Sequence, residues 1–172
     1  MGNNNVMIDL ETMGNNSKSA IISIGAVRFD NLELGQEFYT NVNLQSCIDA
    51  GLTMDASTIM WWMKQSDEAR KAFNSGVNLA DALRDFTKWL GPGGEVWGNG
   101  VDFDNVILAS AYDAANQPLP WRYWNNRCYR TFKGLCPSIK VPRGGIHHNA
   151  LDDAKTQAEH LMKILKRFNI SL

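Results

Sequence analysis

The opening stretch of the chain alternates. In residues 5–11, Asn-Val-Met-Ile-Asp-Leu-Glu, Val6, Ile8 and Leu10 fall on one face and Met7, Asp9 and Glu11 on the other. That period of two is a strand's. Residues 20–29, Ala-Ile-Ile-Ser-Ile-Gly-Ala-Val-Arg-Phe, read as a second, mostly buried strand. Asp30–Gly35 turns the chain. Gln36–Leu44 then alternates again, with Phe38, Thr40, Val42 and Leu44 on one face. Three strands joined by short connections predict an antiparallel meander.

The period then changes. Ser57–Lys64 and Ser66–Phe73 read as two short helices, each with a serine as N-cap. Leu79, Ala82, Leu83, Phe86 and Leu90 recur at helical spacing behind Asn78, and Gly91-Pro92-Gly93-Gly94 stops that helix. Glu95–Gly98 is a short strand, and Asp104–Ala115 a helix ended by Asn116-Gln117-Pro118. The clearest helix is the last, where Leu151, Ala154, Ala158, Leu161, Leu165 and Phe168 step by three and four. Asn149 with Asp152 resembles a capping box at its start. A further strand fits between the last two helices. The order predicts an α/β or α+β domain, one sheet covered by helices.

At 172 residues the chain suits one domain over 1–172. Its 44% apolar and 20% charged residues are those of an ordinary soluble globule. No apolar run approaches the ~18–20 residues of a membrane span. The first residues carry no basic charge, so no secretory signal is expected. The three cysteines, Cys47, Cys128 and Cys136, form no C-x-x-C pair. Together these predict a reduced, cytoplasmic protein. The net charge of −1 excludes a broadly basic surface. It conceals an asymmetry, because no acid lies between Asp113 and Asp152. Arg122, Arg127, Arg130, Lys133, Lys140 and Arg143 are interleaved there with Trp121, Tyr123, Trp124, Tyr129 and Phe132. Such a stretch suits single-stranded nucleic acid; the rival reading is a solvated face over buried aromatics.

Asp9 and Glu11 project from the same face of one strand, about 7 Å apart at Cα. Two buried carboxylates repel each other, so one stays protonated unless cations hold both. Oxygen ligands favour magnesium or manganese over zinc. A second cluster, Asp102 and Asp104, lies where a strand gives way to a helix, and either acid suits an N-cap. A third is His147-His148-Asn149-Ala150-Leu151-Asp152-Asp153. Asp153 borders the apolar stripe of the last helix and points toward the protein body. Five residues turn a helix by about 140° net. His148 therefore converges with Asp153 only from a loop before the first turn, where Gly144-Gly145 lies upstream.

Asp9-x-Glu11-Thr12, Asn99-x-x-x-Phe103-Asp104 and His148-x-Ala150-Leu151-x-Asp153-Ala154 resemble, in order, the three motifs of the DEDDh 3′–5′ exonucleases. That superfamily includes proofreading subunits and RNase T. Met60-Trp61-Trp62-Met63 and the compact length resemble the branch of small phage and bacterial exodeoxyribonucleases of the exodeoxyribonuclease VIII-like group. The resemblance implies an RNase H-like fold, a five-stranded mixed sheet in the order 3-2-1-4-5 flanked by helices. It implies two Mg²⁺ or Mn²⁺ ions held by Asp9, Glu11, Asp104 and Asp153, with His148 as general base. Asp102, Asp152 and His147 are spare residues beside the motif positions.

The implied activity is hydrolysis from a free 3′ end to nucleoside 5′-monophosphates, on single-stranded DNA or 3′ overhangs. The backbone of Leu10 and Thr12 would meet the terminal sugar. Met13 would wedge against the terminal base, and Trp61, Trp62 or Phe103 would stack on it, beside Asn99. One of the adjacent tryptophans belongs in the core, since neighbours on a helix point about 100° apart. Trp89 reads as core, and His160 as structural or surface. A homodimer, with the basic 114–151 segment serving the partner's site, follows from the same resemblance. The alternatives are an exoribonuclease of the superfamily, an endonuclease of the same fold, and an RNase H-like domain that binds nucleic acid without cutting. An intact acid set argues against the last.

Overall fold

A computed structural model describes residues 4–146 and 148–172. The alternation of the opening stretch becomes β1 (Asn5–Thr12), β2 (Ile21–Phe29) and β3 (Leu34–Asn41), an antiparallel meander. β4 (Glu95–Gly98) runs parallel to β1 on its other side, and β5 (Asn126–Cys128) runs parallel to β4. The sheet is five-stranded in the order β3-β2-β1-β4-β5, as the motifs imply for an RNase H-like fold.

The two faces of β1 bury different layers. Val6, Ile8 and Leu10 join the larger apolar core with α4 (Leu79–Leu90) and α5 (Asp104–Ala114). Met7 joins the smaller one with Val27, Phe29 and Trp97 under α7 (Ala150–Arg167). Covered on both faces, β2 is buried at all positions but one, which is why it reads as a run rather than an alternation. Because Met7, Asp9 and Glu11 share a face, the acids follow Met7 along the side that α7 covers.

Two glycines permit close approaches that fix the site. Gly25 pairs with Asp9 across the β1–β2 ladder, and a Cβ on it would collide with the backbone of Ala150, the first residue of α7. A Cβ on Gly98, at the end of β4, would collide with the Asn105 side chain. Asn105 donates to the Val96 carbonyl at 3.0 Å and to Asn126 Oδ1 at 2.9 Å, tying α5 to β4 and β5.

Several local expectations need correction. β3 ends at Asn41, and Leu44 opens a helix, α1 (Leu44–Asp49). Apolar alternation through Val42 and Leu44 hides the cap: Asn43 Oδ1 accepts from Ser46 N at 3.1 Å. The next helix, α2 (Ala56–Trp62), starts behind Asp55, so Ser57 lies inside it rather than capping it. Ser66 does cap α3 (Asp67–Arg70), accepting from Ala69 N. Asn78 makes no side-chain cap; Ser46 Oγ accepts from Leu79 N instead, at 2.9 Å. Only half of the capping box forms at α7. Asn149 accepts from Leu151 and Asp152, while Asp152 turns its carboxylate to Ile146 N at 2.8 Å. The extra strand predicted late in the chain is β5, and a short helix that the sequence pattern does not announce, α6 (Tyr129–Leu135), follows it directly. Among the described residues no helix is long and apolar enough to cross a membrane.

Candidate active site

The parallel strands β1 and β4 end at one rim of the sheet, where a cleft of about 680 Å³ opens. Asp9, Glu11 and Asp153 line it, with His148, Trp61 and Phe103. Asp9 and Glu11 reach it from β1, just before the ladder with β2 loses its register between Glu11 and Thr12. Asp104, the first residue of α5, is buried: Leu10 N donates to its Oδ1 at 3.2 Å and Asn99 N to its Oδ2 at 2.9 Å. Asp153 enters from the first turn of α7. His148 comes from the preceding loop in a left-handed conformation, φ 61°. One ligand atom each of Glu11, His148 and Asp153 lies within 4.8 Å of the others. The loop placement is the one geometry that lets His148 and Asp153 converge.

The cluster resists negative charge. Burial, followed by the charges of Asp104, Glu11 and Asp153, drives the Asp9 carboxyl well above its ordinary range. Burial and the charges of Asp153 and Asp104 push Glu11 up to about 8. Burial raises Asp104 as well, against the two backbone N–H groups that stabilise its charge. Packed carboxylates that hold protons this firmly are relieved by multivalent cations. An all-oxygen set of four acids suits hard ions such as Mg²⁺ or Mn²⁺.

The aromatic wall divides as helical geometry requires. Trp62 is buried, and its Nε1 donates to the Thr12 carbonyl at 2.9 Å. Trp61 is 42% exposed and sets its ring 4.8 Å from the His148 ring, edge to face. Leu10, Thr12 and Asn99 line the cleft. The Leu10 N–H is engaged by Asp104 and the Thr12 carbonyl by Trp62. Met13 lies in the hydrophobic core rather than on the cleft wall, because its backbone pairs with Ala20 and turns the side chain inward. Trp89 packs against Phe38 and Phe86 as expected. Asp152 holds the loop before α7; His147 lies outside the described residues.

The basic 114–151 segment is not one surface. Trp121 and Tyr129 are buried, and Arg127 pairs with Glu95 at 2.6 Å. Lys133, Lys140 and Arg143 line this chain's own cleft. Exposed Tyr123 and Trp124 precede β5, whose first residue pairs with Val96, so they lie toward the opposite end of the parallel strands.

Three polar residues of the cleft are not legible in the sequence as parts of a site. Gln157, one turn beyond Asp153, donates from Nε2 to Asp9 Oδ1 at 2.6 Å. Its i+4 spacing from Asp153 is the available signal. Arg143 Nη2 donates to both oxygens of Asp153, at 2.5 and 2.7 Å. His160 is buried and structural, not on the surface. Its Nε2 donates to the Ile139 carbonyl at 2.8 Å, so its Nδ1 accepts from the Tyr129 hydroxyl at 2.7 Å.

The family model of the 3′-5′ exoribonuclease Rv2179c-like domain matches residues 4–165. The chain belongs to this family. It is also 28% identical over 155 residues to an exodeoxyribonuclease of Enterobacteria phage T4, covering 73% of this chain and 68% of the phage protein. Among solved structures it resembles the nuclease domain of 3′hExo, a DEDDh family member bound to rAMP. That likeness has a TM-score of 0.66 at 16% identity over 94% of this chain and 91% of the other. S. pombe Pop2p in its Mg²⁺- and Mn²⁺-bound form gives 0.65 at 18% identity, over 96% and 84%. At such identities the structural likenesses carry the fold alone. With that family the chain is a 3′–5′ exonuclease.

Proposed function

We propose that the cleft hydrolyses the last phosphodiester at a free 3′ end and releases nucleoside 5′-monophosphates, with two Mg²⁺ or Mn²⁺ ions held by Asp9, Glu11, Asp104 and Asp153. The observation that carries this reading is the convergence of Glu11, His148 and Asp153 within 4.8 Å beside buried Asp9 and Asp104. The Pop2p relative, described with both metals bound, supports the choice of ions.

Bound divalent ions supply the positive charge that lets all four carboxylates ionise and that offsets charge building on the phosphate. The chain's own groups do the rest. His148 takes the proton of the attacking water, for which its imidazole must be neutral. The water oxygen bonds to phosphorus, the bond from phosphorus to the 3′ oxygen breaks, and that oxygen takes a proton as the shortened strand departs. The half-exposed ring of Trp61 offers a stacking face for the terminal base, with Phe103 and Asn99 on the cleft wall. Lys133 and Lys140 provide cations for the strand's phosphates. Trp62, hydrogen-bonded and buried, positions Thr12 and Trp61 rather than stacking.

DNA is the substrate favoured by the similarity to the phage exodeoxyribonuclease, and a single strand or a 3′ overhang is the form favoured by the half-exposed Trp61 ring, on which an unpaired base can stack. The family model's own description favours RNA as the second reading. Matched DNA and RNA oligomers, as 3′-labelled single strands and overhanging duplexes and as internally labelled circles, test both. With Mg²⁺ or Mn²⁺ the label should leave as a 5′-monophosphate, and circles should survive. Cleavage of circles, or full activity in EDTA, would overturn the proposal. Faster loss of the RNA oligomer would replace the first substrate with the second.

A further inference from the structure

Arg143 turns its guanidinium directly onto a proposed metal ligand. Its Nη2 spans both oxygens of Asp153, at 2.5 and 2.7 Å, and its charge also holds Glu11 lower than burial alone would leave it. The partners differ in freedom. Asp153 is fixed in the first turn of α7, and its side chain is 12% exposed against 40% for Arg143. Gly144 and Gly145 come next in the chain after the arginine, and a Cβ on Gly144 would meet nothing within 4 Å. Of the two, Arg143 is the one with room to leave.

Both Asp153 oxygens are committed, and a divalent ion on either would stand within a few ångströms of the guanidinium. Like charges at that separation repel strongly in a half-buried site. We propose that Arg143 is the site's resident counter-cation, that divalent ions displace it from Asp153, and that the released guanidinium then pairs with a backbone phosphate of the bound strand. This displacement rests on the reading that Asp153 holds metal. A planar fork suits phosphate as it suits carboxylate. Arg143 shares the cleft with Lys133 and Lys140, so the anion it meets after leaving Asp153 is one that the nucleic acid brings. Metal loading and strand binding thereby become coupled, each favouring the other.

The test uses the full chain and two titrations. First, Mn²⁺ is titrated without nucleic acid and free Mn²⁺ is followed by electron paramagnetic resonance. Wild type should bind Mn²⁺, and Asp153→Asn should lose affinity; failure of either defeats the metal reading and the displacement with it. Given both, Arg143→Ala should bind Mn²⁺ about five- to tenfold tighter than wild type, while Arg143→Lys, which keeps the charge, should stay near it. Equal or weaker Mn²⁺ binding by Arg143→Ala overturns the displacement while leaving the metal reading standing. Second, a single-stranded oligonucleotide with a free 3′ end is titrated in Ca²⁺ and followed by fluorescence anisotropy. Arg143→Ala should bind it about tenfold more weakly, with a salt slope lower by about 0.7. Unchanged affinity and slope overturn the phosphate contact. Melting temperatures within a few degrees of wild type show that the exposed arginine was not holding the fold.

Discussion

The two walls of the cleft are made from different material. One carries the acids and is set by regular structure: Asp9 and Glu11 on a central strand, Asp104 under two backbone N–H groups, and Asp153 on a helix whose first residue is pressed onto Gly25. The other carries the proton acceptor His148 with Lys140 and Arg143 on residues 136–149, where the described residues form no helix or strand. Its shape depends on single tethers to α7. Asp152 accepts from Ile146 N, His160 Nε2 donates to the Ile139 carbonyl, and Lys163 Nζ donates to the Lys140 carbonyl. Even His148 is held in a left-handed conformation that costs a side chain about 1 kcal/mol. Charge that must be concentrated is built into the scaffold, whereas groups that meet a moving strand are tied on by a few hydrogen bonds. Both walls answer to α7, so one helix aligns them.

The largest effects should separate the walls. Asp9→Asn should lower turnover by more than ~10³-fold, because it removes a central carboxylate of the rigid wall. Mn²⁺ affinity should fall with it, and the melting temperature in EDTA should rise because the folded chain no longer has to hold a proton on a buried carboxyl. His148→Ala strikes the other wall. It should lower turnover by ~10²–10⁴-fold, the worth of a positioned acid–base group, and leave Mn²⁺ binding close to wild type. Steady-state rates beside metal titrations check both. Loss of metal affinity in His148→Ala would mean that the histidine belongs to the acid wall.

The same division explains how much of the site is legible in the sequence. The acids of the rigid wall stand in strand and helix patterns, and strand alternation alone places Asp9 and Glu11 on one face. Choosing Asp104 and Asp153 over the neighbouring Asp102 and Asp152 takes the motif register; the structure lines the cleft with Asp9, Glu11 and Asp153 and buries Asp104 behind the Leu10 and Asn99 backbone. The loop wall has no period to read. His148 is reachable only through its offset from Asp153, and Arg143 is lost among the basic residues of its segment. His160 looks remote because a helix hides which residues share a face with a site seven residues earlier. Met13 shows the opposite limit: its nearness to Glu11 in sequence suggests the cleft, but the strand pairing sends it into the core.

The acid wall also predicts a dependence of stability on pH. Glu11 titrates near 8 when folded and near 4.5 when free, and Asp9 and Asp104 are shifted the same way. Between those values the folded chain holds protons that the unfolded chain has released, so stability falls as pH rises through that window. In EDTA the melting temperature should decline from about pH 5 to pH 8. Saturating Mg²⁺ or Mn²⁺ should restore it at pH 8, and Asp9→Asn should flatten the decline. A melting temperature that climbs across that range in EDTA would contradict the buried-acid account.

The smallest effect should come from Asp152, which touches the loop wall without belonging to the acid set. Its Oδ2 accepts from Ile146 N at 2.8 Å, and a Cβ on Gly145, at φ +71°, would run into its carboxyl group. The carboxyl is therefore a clamp over the turn that leads to His148. Asp152→Asn keeps an acceptor oxygen in place, so turnover should fall by less than about fivefold. Asp152→Ala removes the clamp and should cost somewhat more, through a looser His148, with Mn²⁺ affinity unchanged. Asp153→Asn, one residue away, should resemble Asp9→Asn in losing both rate and metal. Comparing kcat and Mn²⁺ affinity across the three variants decides the register. Equal losses in Asp152→Asn and Asp153→Asn would show that the two walls share an acid, and the separation drawn between them would fail at that residue.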